Sequence, residues 1–259
     1  MARGKRRRLG QHFLRDSRVA EAIAAAVPPD PPRVLEIGPG KGALTARLLA
    51  RFPRVHTVEL DPAFAESLRE RLGDPQGLEV TLGDALELNL QALAAEGPWN
   101  VAANLPYSVA TPIVRRFLAA GETFPVLVVM VQKEVAERML APAGHRERGA
   151  LSVEVELAAD GELLFTVPPR CFSPPPQVTS AVVRLRAHPK APAETAQRAV
   201  RLARAAFSHR RKKLSNALRS EVPEVASVLE GAGVSGELRP QDLTFEQWLA
   251  LAGACKELL

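Results

Sequence analysis

Asn104-Leu105-Pro106-Tyr107 place an amide side chain, a backbone carbonyl in a tight turn and an aromatic ring within four positions. That set can hold a flat base by its edge and its face. The exocyclic amine of adenine is a poor nucleophile because its lone pair is delocalised into the ring. Acceptors aimed at its N–H bonds would localise that pair as the amine attacks, a stabilisation that grows toward the transition state. Stacking on Tyr107 would add roughly 1–3 kcal/mol. Asn and Pro are also ordinary turn formers, so the quartet alone leaves a plain strand-ending turn open.

Upstream, Val34-Leu35-Glu36-Ile37 runs into Gly38-Pro39-Gly40-Lys41-Gly42 and then into a helical pattern carrying Leu44, Leu48 and Leu49. Glycine lets a backbone turn sharply and approach a ligand with no Cβ in the way. A helix N-terminus then offers free N–H groups to a carboxylate. The spacing is G-x-G-x-G rather than the G-x-G-x-x-G of dinucleotide sites, and Pro39 removes a donor, so a pyrophosphate ligand is disfavoured. Glu59 ends the next strand, 21 positions after Gly38, where a ribose diol needs a bidentate acceptor. Asp84 follows a third strand and could accept from a nucleoside amino group beside Leu60 and Leu86. Taken singly, each acid reads equally as a solvated strand-end residue.

The elements that must position these groups are strands near 33–37, 55–59, 78–82, 99–103 and 126–131, with helical patterns between most of them. The alternation predicts an α/β fold around a doubly wound, mostly parallel sheet. Gly38, Glu59, Asp84 and Asn104 then fall in order at the carboxyl ends of successive strands, where such sheets bind ligands. Strands at 163–167 and 178–185 read as an antiparallel hairpin at the sheet edge. The loop between them carries Phe172 among Pro168, Pro169, Pro174, Pro175 and Pro176, which stiffen it by fixing φ.

In combination, the glycine loop, Val-Glu-Leu-Asp at 58–61, Gly-Asp-Ala at 83–85 and Asn-Leu-Pro-Tyr resemble the ordered motifs of S-adenosylmethionine-dependent adenine-N6 methyltransferases. Gly10-Gln11-His12-Phe13-Leu14 and Pro169-Arg170-Cys171-Phe172-Ser173-Pro174-Pro175-Pro176 narrow the match. They resemble the ribosomal RNA adenine dimethyltransferases, in particular the bacterial small-subunit branch linked to kasugamycin sensitivity. The resemblance implies a Rossmann-like methyltransferase fold with a seven-stranded sheet and S-adenosylmethionine as cofactor. It implies that His12 and Leu14 touch the methionine part, Gly38 the cofactor backbone, Glu59 the ribose and Asp84 the adenine. Asn104 and the Leu105 carbonyl would hold the target amine, with Tyr107 and Phe172 clasping the base. The implied reaction is dimethylation of N6 on two adjacent adenosines in a hairpin loop near the 3′ end of 16S RNA, in the small (30S) subunit or its precursor. A large-subunit (23S) enzyme of the antibiotic-resistance type shares the cofactor motifs. A ribosome-assembly factor that only binds RNA is the non-enzymatic alternative.

Of the 259 residues, 46% are hydrophobic and 24% charged, an ordinary globular composition. No stretch approaches the roughly 20 apolar residues that cross a bilayer, and no secretory signal is apparent. Cys171 and Cys255 make neither a disulfide framework nor a zinc set, so a reduced cytoplasmic location and no metal are expected. A net charge of +5 favours a polyanionic partner. Arg6, Arg7 and Arg8 belong to a basic arm over residues 1–8. Arg198, Arg201 and Arg204 recur along one probable helix, and Arg210, Arg211 and Lys212 open the next. Either run could be plain solvated surface; two of them around a base-binding motif point to RNA. Arg outnumbers Lys 27 to 7, which suits planar phosphate contacts or reflects a biased genome or heat adaptation. Composition shifts near 187–192, dividing a methyltransferase domain at 1–186 from a helical RNA-binding domain at 187–259. Helices are expected there near 193–207, 210–220, 222–231 and 244–257, in a monomer.

Overall fold

The computed structural model describes residues 12–255; the basic arm with Arg6, Arg7 and Arg8 lies outside the described residues. The strands run β1 (Phe13–Leu14), β2 (Arg33–Ile37), β3 (Arg54–Glu59), β4 (Leu78–Leu82), β5 (Asn100–Asn104), β6 (Val126–Gln132), β7 (Ala159–Val167), β8 (Phe172–Ser173) and β9 (Ser180–Ala187). Seven of them form one sheet in the order β4-β3-β2-β5-β6-β9-β7. Strands β2 to β6 pair in parallel, and β9 returns antiparallel to β6. Val126 to Val131 are all buried, as a parallel strand covered on both faces requires.

Local sequence explains the flanking helices. Asp16 caps the helix Ser17–Ala26 by accepting from the Arg18 N–H at 3.0 Å, and Ala20, Ile23 and Ala24 form its buried face. Asp61 does the same for Pro62–Arg71, accepting from the Ala63 N–H at 3.0 Å, with a proline in the first turn where no donor is needed. From β2 the chain goes outward to β3 and β4, then returns to lay β5 on the other side of β2. The loops after β2 and β5 therefore diverge, opening a crevice beyond their carboxyl ends.

Strands β1 and β8 form a separate two-stranded ladder with Phe13 opposite Ser173 and Leu14 opposite Phe172. The Arg15 N–H extends it to the Cys171 carbonyl at 2.9 Å. This ladder straps the segment before the first helix to the proline-rich loop. Both hairpin strands are longer or later than expected: β7 begins at Ala159, and β9 runs from Ser180 to Ala187.

The chain divides into two compact units. One runs through Ala136 and includes Gly161–Ala187; the other comprises Glu137–Asp160 and the residues from His188 on. The expected partition at 186/187 falls one residue before the last crossing, at 187/188, and the crossings at 136/137 and 160/161 were not expected. Residues 137–160 differ from it because Val153 and Leu157, on the helix Ala150–Ala158, are buried with Leu202, Trp248 and Leu251 in the helical core. An interior side chain anchors that unit: Arg148 is 1% exposed and donates to Glu156 at 2.6 Å and to the Ala141 and Leu243 carbonyls at 2.9 and 3.1 Å. That unit's α-helices beyond residue 187 are Ala193–Ser208, Leu214–Ala217, Val225–Gly231 and Phe245–Ala254. The helix expected over 210–220 starts only at Leu214, because a run of cations at a helix N-terminus opposes the macrodipole.

Candidate active site

The crevice at the carboxyl ends of β2 and β5 is a cavity bounded by the N-terminal segment, the glycine loop, Glu59 and the Asn-Leu-Pro-Tyr turn. Its lining includes His12, Leu14, Gly38, Glu59, Asn104, Leu105, Pro106 and Tyr107. Eight residues expected at the site thus converge from four separate segments. Gly38 has φ +67°, and a Cβ added there would meet nothing within 4 Å, so its face toward a ligand is open. Gly40 has φ +54° and lies against Phe13, whose ring would be 3.0 Å from an added Cβ. Lys41 Nζ sits 5.0 Å from the Phe13 ring, and that ring packs on Phe64 at 5.0 Å.

Glu59 is 4% exposed, and both its oxygens are engaged. Oε2 accepts from the Gly40 N–H at 3.0 Å and Oε1 from the Asp61 N–H at 2.9 Å. One carboxylate therefore fixes the glycine loop and the turn after β3 at once. Each oxygen keeps a further lone pair for a diol.

Asp84 does not line the cavity. Its Oδ1 accepts from the Leu86 N–H at 2.8 Å, while the Gly83 N–H donates to the Glu59 carbonyl at 2.9 Å. The turn holding Asp84 is thus hydrogen-bonded to the end of β3, where Leu60 and Leu82 stand 52% and 54% exposed. Such bare apolar side chains beside an acid suit a purine ring with its amino group.

The corner of the cavity at the Asn-Leu-Pro-Tyr turn is built around an oriented amide. Asn104 Nδ2 donates to the His12 carbonyl at 3.1 Å, which leaves Oδ1 as the end free to accept. The Leu105 N–H donates to the Met130 carbonyl at 3.1 Å and pins the turn to β6. His12 Nδ1 donates to the Pro174 carbonyl at 2.8 Å, and its ring faces Tyr107 at 5.7 Å, tilted by 31°. Phe172 is placed differently from the expected clasp. It is 2% exposed, packs in the main core and does not line the cavity; burying a whole phenyl ring outweighs presenting it to water. The ring opposite Tyr107 is that of His12.

Glu36 was not expected at the site, yet it lines the cavity at 2% exposure, and its Oε2 has no hydrogen-bond partner among the described residues. Burial pushes its carboxyl up to about 8, the Glu59 carboxylate adds to the rise, and the nearby Thr45 hydroxyl opposes it from outside hydrogen-bond geometry. The available signal was one charge inside the apolar run Val34-Leu35-Glu36-Ile37. A buried Glu36 carboxyl with an unpaired oxygen, an open glycine and a Glu59 carboxylate with lone pairs to spare together fit a cofactor with an amino-acid end and a nucleoside end.

A model of the ribosomal RNA adenine dimethylase family matches residues 2–256. The chain belongs to that family. Its members use S-adenosylmethionine as methyl donor, and this chain is accordingly an adenine dimethyltransferase acting on ribosomal RNA. Two relatives named ribosomal RNA small subunit methyltransferase A illustrate the closeness. One from Synechococcus sp. (strain CC9902) is 41% identical over 260 residues, covering 95% of this chain and 94% of its own. One from Alcanivorax borkumensis is 39% identical over 251 residues, covering 95% and 89%. Among solved structures, a dimethyladenosine transferase from Plasmodium falciparum superposes with a TM-score of 0.75 at 26% identity, over 93% of this chain and 96% of that one. The 23S rRNA methyltransferase ErmE superposes with a TM-score of 0.72 at 30% identity, over 95% and 100%.

In the helical unit the expected RNA contacts separate into two groups. Arg198 is half-buried and donates to the Ala252 carbonyl at 2.9 Å, whereas Arg204 is exposed and donates to Glu154 at 2.9 Å. Arg201, Arg211 and Lys212 are exposed, as is Arg210, which donates to the Arg146 carbonyl at 2.6 Å. Residues 208–212 line a concave surface.

Proposed function

We propose that this dimethyltransferase acts on small-subunit RNA, methylating N6 of two adjacent adenosines in a hairpin loop near the 3′ end of 16S RNA. The small-subunit names of relatives at about 40% identity over nearly the whole chain support this choice of particle. The enzyme works as a monomer in the cytoplasm, on the 30S particle or its precursor.

Within the site, Gly38, Leu14 and His12 hold the methionine part of the cofactor, Glu59 the ribose hydroxyls and Asp84 the adenine. S-adenosylmethionine, when bound, supplies a methyl group already activated on a sulfonium, so no strong base is required. The protein's own task is alignment and lone-pair localisation. Asn104 Oδ1 accepts one N–H of the target amine, the Leu105 carbonyl another, and Pro106 stiffens the turn that aims them. Tyr107 stacks on the base face. The adenine has to leave its stack to reach this corner, and unpaired loop adenines do so at least cost. Exposed Arg201, Arg210, Arg211 and Lys212 hold phosphates of the same RNA.

The observation that carries this reading is the oriented Asn104 amide, locked by the His12 carbonyl at 3.1 Å in the same cavity as Glu59 and Gly38. The deciding experiment incubates the enzyme and labelled S-adenosylmethionine with unmethylated small and large ribosomal particles. Label in small particles, recovered as N6,N6-dimethyladenosine, is the expected result. The likeness to ErmE favours the large-subunit alternative, and label confined to large particles would replace the present reading with it.

A further inference from the structure

Ser180 has no assigned role, yet it is fully buried at 0% exposure and its hydroxyl lies 2.8 Å from the Tyr107 hydroxyl. It opens β9 opposite Gln132 of β6, and the Lys133 N–H donates to the Thr179 carbonyl at 3.0 Å. The backbone carrying Ser180 is therefore held by a sheet ladder, not by a loop. At the other end of the bond, Tyr107 stands on the turn that Leu105 fastens to Met130 at 3.1 Å.

We propose that Ser180 is a positioning residue for methyl transfer, its hydroxyl fixing the Tyr107 ring as the wall against which the target adenine stacks. A tyrosine ring has two side-chain torsions; a hydrogen bond at its far end fixes both once the backbone is set. Burial also raises the Tyr107 phenol above its ordinary value, so it stays protonated and able to donate. With Ser180 removed, the phenol faces a buried site without a partner and is driven to turn outward to water. The stacking face then leaves the cavity it shares with Asn104. This inference rests on the reading of Tyr107 as the base wall.

The test uses the full-length protein with Ser180→Ala, Tyr107→Phe, the double variant and Tyr107→Ala. Three quantities are measured: kcat and KM on unmethylated small subunits, S-adenosylmethionine affinity by calorimetry, and quenching of 2-aminopurine placed at the target position of a hairpin RNA. Ser180→Ala and Tyr107→Phe should each lower kcat/KM roughly tenfold and weaken the quenching, with cofactor affinity unchanged. The double variant should be no worse than either single one, because both remove the same bond. Tyr107→Phe loses a single oxygen and keeps the packing, so a folding defect in Ser180→Ala does not decide the matter. Losses that multiply in the double variant, or an unaltered Ser180→Ala beside an inactive Tyr107→Ala, overturn the inference alone. Full turnover by Tyr107→Ala would instead overturn the base-wall reading, and this inference with it.

Discussion

The two ends of the Asn104 amide are differently placed. The nitrogen is committed to the His12 carbonyl, so in the proposed reaction the oxygen would meet the target amine without reorganisation. Asn104→Ala should therefore bind S-adenosylmethionine nearly as before while kcat falls by about a hundredfold or more, measured by calorimetry beside methyl incorporation. Wild-type turnover in that variant would remove Asn104 from the chemistry. Glu36 makes a prediction of opposite character, in stability. Its carboxyl rises from 4.5 to about 8 on folding, so across that interval the folded chain binds more proton than the unfolded one. The stabilisation is complete below pH 4.5 and is lost as the pH climbs through 8. Glu36→Gln should flatten this decline and melt higher than wild type above pH 8, in thermal scans across pH. The positions of Glu59 and Asn104 at strand ends around one cavity were legible from residue type and spacing. That Glu36 would be buried in the site, and that Phe172 would turn into the core, was not, since both depend on which neighbours arrive from distant segments.

At the scale of elements, the glycine loop is held by three different parts of the chain. Glu59 on β3 takes the Gly40 N–H, Phe13 on β1 covers Gly40, and Arg71 donates to the Gly40 carbonyl at 3.3 Å. Gly40→Ala combines a positive φ with a 3.0 Å approach to Phe13, and it should weaken cofactor binding at least tenfold, read by calorimetry. In the helical unit, Arg148→Ala strips the partner from Glu156 and from two carbonyls around a side chain 1% exposed. Glu156, left without its partner, is 30% exposed and regains water, so the loss should sit at the low end for a broken buried pair, about 3 kcal/mol, and chemical denaturation should show it. The parallel strands could be read from their apolar runs because periodicity is a local property. The β1–β8 ladder could not, because two residues on each side carry no pattern of their own.

For the molecule as a whole, the exposed cations matter through their number. Replacing Arg210, Arg211 and Lys212 together by Ala should weaken RNA binding at moderate salt and lower the slope of log K against log salt by about 2. An unchanged slope, followed by filter binding across salt concentrations, would exclude that surface as a phosphate contact. Charge composition announced a polyanionic partner, but not which arginines were free to meet it; Arg198 proved to be half-buried on the Ala252 carbonyl, and Arg204, though exposed, to be paired with Glu154. The sequence by itself determined the strand alternation, the glycine loop and the order of polar residues along the strand ends, because each is written within a few neighbouring positions. Only the tertiary structure decided that residues 137–160 join the helical unit, that His12 rather than Phe172 faces Tyr107, and that Ser180 meets its hydroxyl. Those outcomes follow from packing between segments far apart in the chain, where burial and hydrogen-bond satisfaction are settled jointly and no local pattern records the result.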